Sequence, residues 1–231
     1  MNAELLALLN EARAAKRRAC HVRFMATDEQ ALVIDGQVAA GVALSAEEMA
    51  AVEDAHRRDS SGVFESGRGP AFLQVFNPPL RLVVVGAVHI AQALAPMAAL
   101  AGYAVTIIDP RRAFASGERF PGVELVNDWP DEAMEAVAPD RRTAVVTLTH
   151  DPKIDDPALD AALRTDCFYI AALGSKRTHA GRVERLKALG HSGDAIARIH
   201  GPAGLDIGAV SPAEIALSVL AQMTAVLRHR A

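Results

Sequence analysis

Apolar and polar positions alternate in two different ways along the chain. From about residue 80 onwards, short apolar runs are separated by longer segments in which apolar residues recur every three or four positions. The runs at 82–85, 104–108, 143–148 and 167–171 predict buried strands, and the segments between them predict helices. Strands that alternate with helices in this way predict an α/β fold with a doubly wound, mostly parallel sheet, which we assign to residues 79–231.

The first 78 residues follow a shorter and more mixed pattern. The elements predicted there are an amphipathic helix at 2–18 and strands at 21–25, 31–34 and 71–76. Asp35-Gly36 is a hairpin signal, and Ser45 followed by Glu48 predicts a capping box at the start of a second helix. We therefore predict a small α+β region at 1–78 that packs on the larger sheet, with the Asn-Pro-Pro segment as boundary.

Residues 81–109 have the layout of one β-α-β unit, with Gly86 after the first strand and Asp109 after the second. A glycine turn at a helix start, with an acid about 20 residues later, is an arrangement that binds dinucleotides. Val88 stands at the second glycine position of that fingerprint, where glycine lets the backbone approach a pyrophosphate. Asp109 is a candidate ribose acceptor, and two arginines follow it. NAD(P) is therefore a candidate cofactor, and an NAD(P)-dependent oxidoreductase is an alternative function.

Polar or glycine-containing segments also follow the later strands. Thr149, His150 and Asp151 come after the strand at 143–148, and a Gly-Ser-Lys-Arg-Thr segment follows the next strand. Because the carboxyl ends of parallel strands share one edge of a sheet, where ligands bind, these segments should lie together. Arg177 and the lysine before it fall in the first turn of a helix, where cations oppose the helix dipole. A bound anion would relieve that repulsion; alternatively, both side chains extend into water.

Local signals also place the starts of the later helices. The helix after the strand at 143–148 is predicted to begin with Asp156 as its N-cap and Pro157 in its first turn. A loop at 200–208 contains three glycines and predicts unusual backbone geometry. The last helix is predicted to begin at Ser211, with Glu214 completing a capping box.

Composition and charge restrict the functions that the chain can have. Its 231 residues carry a net charge of −4 and are 51% hydrophobic, so a basic nucleic-acid surface is not indicated. Its two cysteines suggest no disulfide framework or metal spacing, and no run reaches the ~18 apolar residues of a membrane span. We expect a soluble, cytoplasmic protein. The histidines are isolated and no nucleophile elbow or P-loop is present, so we assign no metal site and no catalytic residue.

Five segments carry motifs that occur together in one protein family. LVVVGAVHIAQAL resembles a strand-GAGH-helix opening, VTIIDPRRAFASGERFP a second strand and loop, and VVTLTHD a Thr-His-Asp strand end. AALGSKRTHAGRVERL and GPAGLDIGAVSPAEIALSVLAQM resemble two later signatures, of which the last is the most specific. Together they resemble the XdhC/CoxI family of accessory proteins for molybdenum-containing hydroxylases.

The resemblance implies a Rossmann-like domain at 79–231. It implies a chaperone that transiently binds molybdenum cofactor (molybdopterin), assists its insertion into a xanthine-dehydrogenase-type or related molybdenum hydroxylase, and need not turn over a substrate. The hydroxylase apo-subunit is the implied partner; a cofactor-sulfurating enzyme and a second copy of the chain, as a homodimer, are further candidates, whereas nucleic acid and membranes are not. Carried over position by position, the implied cofactor-binding residues are Gly86, His89, Asp109, Thr149, His150, Asp151, Gly174, Ser175, Arg177, Gly204, Asp206, Gly208 and Glu214.

Two features depart from the family pattern. Val88 replaces the second glycine of the Gly-Ala-Gly-His loop. A Gly-Gly-Cys segment that longer members carry in their N-terminal part is not found in this sequence, where Cys20 lies in a different context. A third hypothesis is a non-catalytic interaction subunit that uses residues 1–78 as a docking face.

Overall fold

The chain divides into two compact units, of which the first ends at Pro78 and the second begins at Pro79. The structure, a computed structural model, describes residues 2–229. Each unit has its own sheet and its own hydrophobic clusters. Within residues 2–229, no helix combines the length and the apolar character needed to cross a membrane.

The first unit is an antiparallel sheet with two helices. Its elements are α1 (Ala3–Ala14), β1 (Ala19–Phe24), β2 (Gln30–Ile34), β3 (Gln37–Gly41), α2 (Ala46–Arg58), β4 (Gly62–Ser66) and β5 (Gly69–Phe76). The strands lie in the order β3-β2-β1-β5-β4, and neighbouring strands are antiparallel. Asp35 and Gly36 close the β2–β3 hairpin with φ of 48° and 79°, as a two-residue type I′ turn requires.

Alternating side chains of β2 support a helix on each face of this sheet. Leu32 packs in a cluster with Leu5 of α1, whereas Val33 packs in a cluster with Val52 of α2. Successive residues of a strand point to opposite faces, so one short strand contributes to both clusters. The predicted α+β character of this region is confirmed.

The second unit is a six-stranded parallel sheet covered by helices. Its elements are β6 (Leu80–Val85), α3 (His89–Leu100), β7 (Tyr103–Ile108), β8 (Glu124–Val126), α4 (Pro130–Val137), β9 (Thr143–Thr147), α5 (Pro152–Leu163), β10 (Tyr169–Ala172), α6 (Lys176–Ala188), α7 (Gly193–Ile196), β11 (Ile199–His200) and α8 (Pro212–His229). The strand order is β11-β10-β9-β6-β7-β8, and all neighbouring pairs are parallel. The order reverses between β6 and β9, which makes this the topological switch point. The predicted doubly wound parallel sheet is confirmed.

Helices cover both faces of the parallel sheet because its central strands are apolar on both. Val84 belongs to a cluster with Leu94 of α3 and with residues of α8. Its neighbour Val85 belongs to a second cluster, with Leu159 of α5 and Leu186 of α6. Strands buried on both faces have continuous apolar runs, which is the pattern from which this sheet is predicted.

Two predicted helix starts are confirmed as capping boxes. In α2, Glu48 Oε2 accepts from Ser45 N at 2.7 Å and Ser45 Oγ accepts from Glu48 N at 3.2 Å. At the start of α8, Glu214 Oε2 accepts from Ser211 N at 2.7 Å and Ser211 Oγ accepts from Glu214 N at 3.3 Å. The local signal is sufficient at both places because each side chain satisfies a backbone N–H that the helix leaves open.

The predicted start of α5 is wrong by five residues. The helix begins at Pro152 with Asp151 as its N-cap, whose Oδ1 accepts from Lys153 N at 2.9 Å. Asp156 is buried inside the helix and Pro157 is an interior proline. Two Asp-Pro pairs stand five residues apart and carry the same cap signal. The first pair caps the helix, and the second lies beyond the first turn.

Candidate functional site

The turns after β6 and β9 are in direct contact at the switch point. Gly86 is buried with φ of 113°, and its N–H donates to Ile108 O at 2.8 Å. A β-carbon at Gly86 would lie 2.5 Å from Thr149 Cγ2, closer than such atoms approach in proteins. Two independent constraints, the positive φ and the neighbouring turn, therefore favour glycine here.

The carboxylate of Asp109, directly after β7, is fully buried and saturated with hydrogen bonds. Oδ1 accepts from Arg111 N at 3.0 Å and Nε at 2.8 Å, and Oδ2 accepts from Ala87 N at 2.8 Å and Arg111 Nη2 at 2.7 Å. Burial favours the neutral form, but the bonds from Arg111 and Ala87 outweigh it and hold the pKa of Asp109 below its ordinary value. A carboxylate has about four acceptor sites. The candidate ribose acceptor therefore acts as a clamp between β7 and the turn after β6.

Arg119, which is not among the predicted site residues, ties the same turn from outside. Its Nη1 donates to Ala87 O at 2.9 Å and Phe114 O at 2.6 Å, and its Nη2 donates to Gln92 Oε1 at 3.0 Å. The guanidinium of Arg111 lies over the Phe114 ring at 4.5 Å from the centroid, a cation–π contact. The turn after β6 is thus held by two arginines that bind the protein itself.

The buried carboxylate of Asp155 holds the turn after β9, on the other side of the switch point. Its Oδ1 accepts from Thr149 Oγ1 at 2.7 Å and Thr149 N at 3.3 Å, and its Oδ2 accepts from His150 N at 3.1 Å. His150 has φ of 62°, which residues with a β-carbon rarely adopt. Burial raises the pKa of Asp155, and the hydrogen bonds from Thr149 oppose that shift in part.

Gly174 and Ser175 form the turn at the start of α6 and approach the turn after β9. Ser175 is the N-cap, and its Oγ accepts from Thr178 N at 3.1 Å. Gly174 has φ of 135°, and a β-carbon there would lie 3.0 Å from Thr178 Cγ2 and 3.6 Å from His150 Nδ1. These strand ends therefore converge, as their positions in the sequence predict.

A cavity of about 270 Å³ lies between the start of α5 and one side of α6. Two of the predicted site residues, His150 and Arg177, line it. The other lining residues are Pro152, Asp155, Thr178, Gly181, Arg182 and Arg185. Three arginines and one carboxylate line the α5–α6 cavity, and the adjacent carboxylate of Asp156 pairs with Arg185, so one positive charge remains in excess.

Arg182 is buried beside this cavity, and its guanidinium is only partly paired. Nη2 donates to Leu173 O at 3.0 Å and lies 3.8 Å from Asp155 Oδ2. Among residues 2–229, neither Nε nor Nη1 has a hydrogen-bond partner. Burial lowers the pKa of Arg182, and Asp155 and Asp156 oppose that shift. Arg185, by contrast, is paired with Asp156 through Nε at 2.5 Å and Nη2 at 3.1 Å.

The glycine loop at 201–208, which follows β11, packs on α8 and on the end of β10. Gly204 N donates to Gln222 Oε1 at 2.9 Å, and Ala203 N donates to Ala172 O at 3.1 Å. A β-carbon at Gly204, where φ is 93°, would collide with Ser218 Oγ. Gly204 therefore allows the loop to pack closely on α8 at the same sheet edge.

Of the thirteen predicted site residues, only His150 and Arg177 line the α5–α6 cavity. Four of the other eleven are exposed residues of α3, of the glycine loop or of the start of α8. His89 is exposed at the start of α3, and Asp206 and Gly208 are exposed in the glycine loop. Glu214 caps α8, and hydrogen bonds from Ser211 N and Val210 N lower its pKa. A ligand-binding role for these residues stays a prediction. In the part of the chain that the structure describes, no group of His, Cys, Asp and Glu is arranged to hold a metal ion.

Asp155 and Arg182 are not among the residues predicted from the sequence. A signal for Arg182 exists, because it precedes Leu186 by four positions and both are buried in α6. A charged residue on the apolar stripe of a helix faces the core and needs a partner there. Asp155 is not predicted because the sequence places the start of α5 at Asp156, which leaves Asp155 in the preceding loop.

Residues 82–223 match the family described as the XdhC Rossmann domain. The chain is 36% identical over 155 residues to the molybdenum cofactor insertion chaperone PaoD of Escherichia coli (strain K12), a match that covers 67% of this chain and 42% of the relative. It is 31% identical over 153 residues to a protein of Bacillus subtilis (strain 168) named as a probable xanthine dehydrogenase subunit; this match covers 66% of this chain and 44% of the relative. The crystal structure of a xanthine dehydrogenase from Bacillus halodurans matches with a TM-score of 0.74 and 26% identity, over 99% of this chain and 65% of that one.

The matched family segment contains the whole sheet edge described above. It includes every predicted site residue, from Gly86 to Glu214, and the strands on both sides of the switch point. The chain spans less than half the length of these two curated relatives. On the match over 82–223, the chain belongs to the XdhC family.

Proposed function

We propose that this chain binds molybdenum cofactor and assists its insertion into a xanthine-dehydrogenase-type hydroxylase. One observation carries the proposal: the converging strand ends of the XdhC Rossmann domain border a positively lined cavity. The cofactor carries phosphate, and guanidinium groups and the first N–H groups of helices are the donors that phosphate binds. The name of the relative PaoD, an insertion chaperone, supports the same role.

In this proposal some residues contact the cargo and others position them. His150 and Arg177 line the cavity and would contact the cofactor. Gly86 and Gly174 let the turns approach one another, and Thr149 is fixed by a hydrogen bond of 2.7 Å to a buried carboxylate. This chain would bind and release its cargo rather than transform it.

The geometry at Asp109 argues against the NAD(P)-dependent oxidoreductase. A dinucleotide site of this fold uses an acid to accept from the ribose and a glycine to approach the pyrophosphate. The Asp109 oxygens are engaged within the chain, and Val88 stands at the glycine position. We expect titration calorimetry with NAD and NADP at millimolar concentration to show no saturable heat. A saturable signal would restore this alternative.

A retention experiment tests the proposed function. The purified chain, mixed with molybdenum cofactor released from a donor enzyme, should carry molybdenum through a sizing column and should activate an apo-hydroxylase. His150→Ala and Asp206→Asn should each lower the retained molybdenum without changing the melting curve. Asp194→Asn is the matched control for Asp206→Asn, because it changes an exposed aspartate of α7 that lies outside both the glycine loop and the lining of the α5–α6 cavity. Failure of the wild-type chain both to retain molybdenum and to activate the hydroxylase would overturn the proposal.

We propose that the hydroxylase apo-subunit is the partner that receives the cofactor, and that a cofactor-sulfurating enzyme and a second copy of the chain are further partners. Co-purification with a component of the hydroxylase, with cofactor present, would support this assignment. Co-purification with no cofactor in either protein would instead support the non-catalytic interaction subunit. Light scattering of the purified chain gives the number of copies.

A further inference from the structure

Arg182 buries a charged group whose hydrogen-bonding capacity is only partly used. The residue is 1% exposed, and within residues 2–229 its Nε and Nη1 have no acceptor. A buried donor without an acceptor carries the full cost of its lost hydration, and that cost is larger for a charged group. Such a group in a folded protein therefore indicates an acceptor that is not part of the chain.

The nearby carboxylates do not supply that acceptor. Asp155 Oδ2 lies 3.8 Å from Arg182 Nη2, beyond the 2.7–3.2 Å range of an N–H···O hydrogen bond, and in residues 2–229 no carboxylate accepts from Nε or Nη1. The oxygens of Asp155 accept instead from Thr149 and His150. Asp156 is engaged by Arg185.

The sequence of α6 keeps space open next to Arg182. Arg177, Gly181 and Arg185 are four residues apart and therefore lie on one side of the helix, where all three line the α5–α6 cavity. Gly181 has no side chain between these two arginines, and Arg185 Nη1 lies 3.6 Å from the position that its β-carbon would take. No acid lies in the first turn of α6, where the N–H groups and the dipole attract negative charge. The buried arginine and the helix start are independent features that both favour an anion.

We propose that the α5–α6 cavity binds the phosphate group of a phosphate ester, with buried Arg182 and exposed Arg177 as its cationic contacts. Phosphate offers several acceptor oxygens in the geometry that a guanidinium binds in bidentate fashion. At about 270 Å³, the cavity is smaller than the roughly 300–1,000 Å³ of sites that hold a whole drug-sized ligand. It therefore takes a phosphate group, and the rest of the ligand lies outside. The identification of the ester as molybdenum cofactor rests on the proposed function. The existence of the phosphate site does not depend on it.

Titration calorimetry of the full chain with inorganic phosphate, at constant ionic strength in chloride, tests the site. Wild-type chain should bind phosphate saturably. Arg177→Ala should weaken the affinity by about tenfold, because it removes one charge-assisted contact. Lys187→Ala is the matched control, since it removes the same charge from an exposed position of the same helix outside the cavity. It should leave the affinity within about twofold, as expected for a distant, screened charge.

Arg182→Met is the stronger variant and should abolish saturable binding. If its circular dichroism spectrum shows that it does not fold, the comparison of Arg177→Ala with Lys187→Ala decides. Absence of phosphate binding by the wild-type chain, or equal affinities for the Arg177→Ala and Lys187→Ala variants, would overturn the site. Methyl phosphate and ADP distinguish two kinds of phosphate ester. If methyl phosphate binds more tightly than ADP, the site takes a phosphate monoester; if ADP binds more tightly, it takes a diphosphate.

The same variants separate this inference from the proposed function. If the chain binds phosphate but does not retain molybdenum cofactor, the phosphate site stands and the proposed cargo is wrong. If wild-type and Arg177→Ala chains retain molybdenum equally and neither binds phosphate, the chaperone role stands and the phosphate site is overturned.

Discussion

The two sides of the switch point use a buried carboxylate in opposite ways. Asp109 accepts four hydrogen bonds, and all of them come from Arg111 and Ala87. Asp155 holds its own turn, but stands 3.8 Å from Arg182, whose Nε and Nη1 have no acceptor within residues 2–229. The pKa of Asp109 is accordingly lowered and that of Asp155 is raised by burial. On the β7 side, which we call the closed side, the carboxylate is fully used within the chain. On the β9–β10 side, which we call the open side, Arg182 keeps two N–H donors for the proposed anion.

In the proposed phosphate site, a Rossmann-like sheet keeps its switch point while the anion-binding groups lie on the helix that follows a neighbouring strand. In dinucleotide-binding proteins, the turn after the first strand holds the pyrophosphate at the start of the first helix. Here Val88 caps α3 without a side-chain hydrogen bond, and Arg119 ties the turn to the protein. The arginines of the cavity instead follow β10. The fold brings the carboxyl ends of the strands to one edge of the sheet, but the side chains at that edge determine where a ligand binds.

The largest expected effect is that of Gly86→Ala, which breaks the contact between the two sides. The new β-carbon combines a positive φ with an approach of 2.5 Å to Thr149 Cγ2. We expect a loss of about 3 kcal/mol in the free energy of unfolding, from backbone strain and overpacking together. Urea unfolding followed by the fluorescence of Trp129, the single tryptophan, reports on the second unit.

Two further variants separate strain from contact. Gly102→Ala also has positive φ, 89°, but nothing lies within 4 Å of its β-carbon, so it should lose about 1–2 kcal/mol. Adding Thr149→Ser to Gly86→Ala removes the colliding methyl group, keeps the hydroxyl that bonds Asp155, and should recover part of the stability. Equal losses for Gly86→Ala and Gly102→Ala would show that the contact with Thr149 does not matter.

Asp109→Asn weakens the contacts of this side chain with Arg111 and Ala87 and should lower the free energy of unfolding by about 2 kcal/mol. The amide can accept through its oxygen, but it no longer neutralises Arg111, and its NH₂ group faces donors. Asp194→Asn, at an exposed position, should change stability by no more than about 0.5 kcal/mol. A similarly small change at Asp109 would mean that the clamp does not hold the turn.

The pH dependence of the Asp109→Asn effect sharpens the contrast between the two carboxylates. Since the folded pKa of Asp109 lies below its ordinary 3.8, its stabilisation is fully present above that value and is lost as pH falls through the folded pKa. The contribution of Asp155 to stability has the opposite pH dependence. Because its pKa is raised, that contribution is fully present below 3.8 and is lost as pH rises through the folded pKa. The stability difference between wild type and Asp109→Asn should be constant from pH 7 to about 5 and shrink below 3.8. A difference that grows on acidification would contradict the assignment.

The sequence predicts the sheet and its edge better than it predicts the polar groups beside that edge. The apolar runs identify the strands because each strand is buried on both faces, and strand ends such as Thr149, His150 and Arg177 then fall at one edge. Arg182 and Asp155 escape the same reasoning, because periodicity treats charged residues as solvent-facing. Their burial depends on which side chains of α5 and α6 face each other across the cavity. That is a tertiary property, and its one local signal is the position of Arg182 four residues before Leu186 on the buried side of α6.

The smallest expected effect, that of Ser175→Ala, asks whether the open side depends on its arginines or on the start of α6. Ser175 Oγ accepts from Thr178 N, so the variant should lose about 1 kcal/mol of stability, as N-cap deletions do. Ser192→Ala, which removes the corresponding bond to Ala195 N in α7, is the matched control and should cost a similar amount. Phosphate affinity should fall less in Ser175→Ala than in Arg177→Ala, because the cap orients backbone donors whereas the arginine carries charge. An equal fall in both would mean that the start of α6 contributes as much to phosphate binding as Arg177 does.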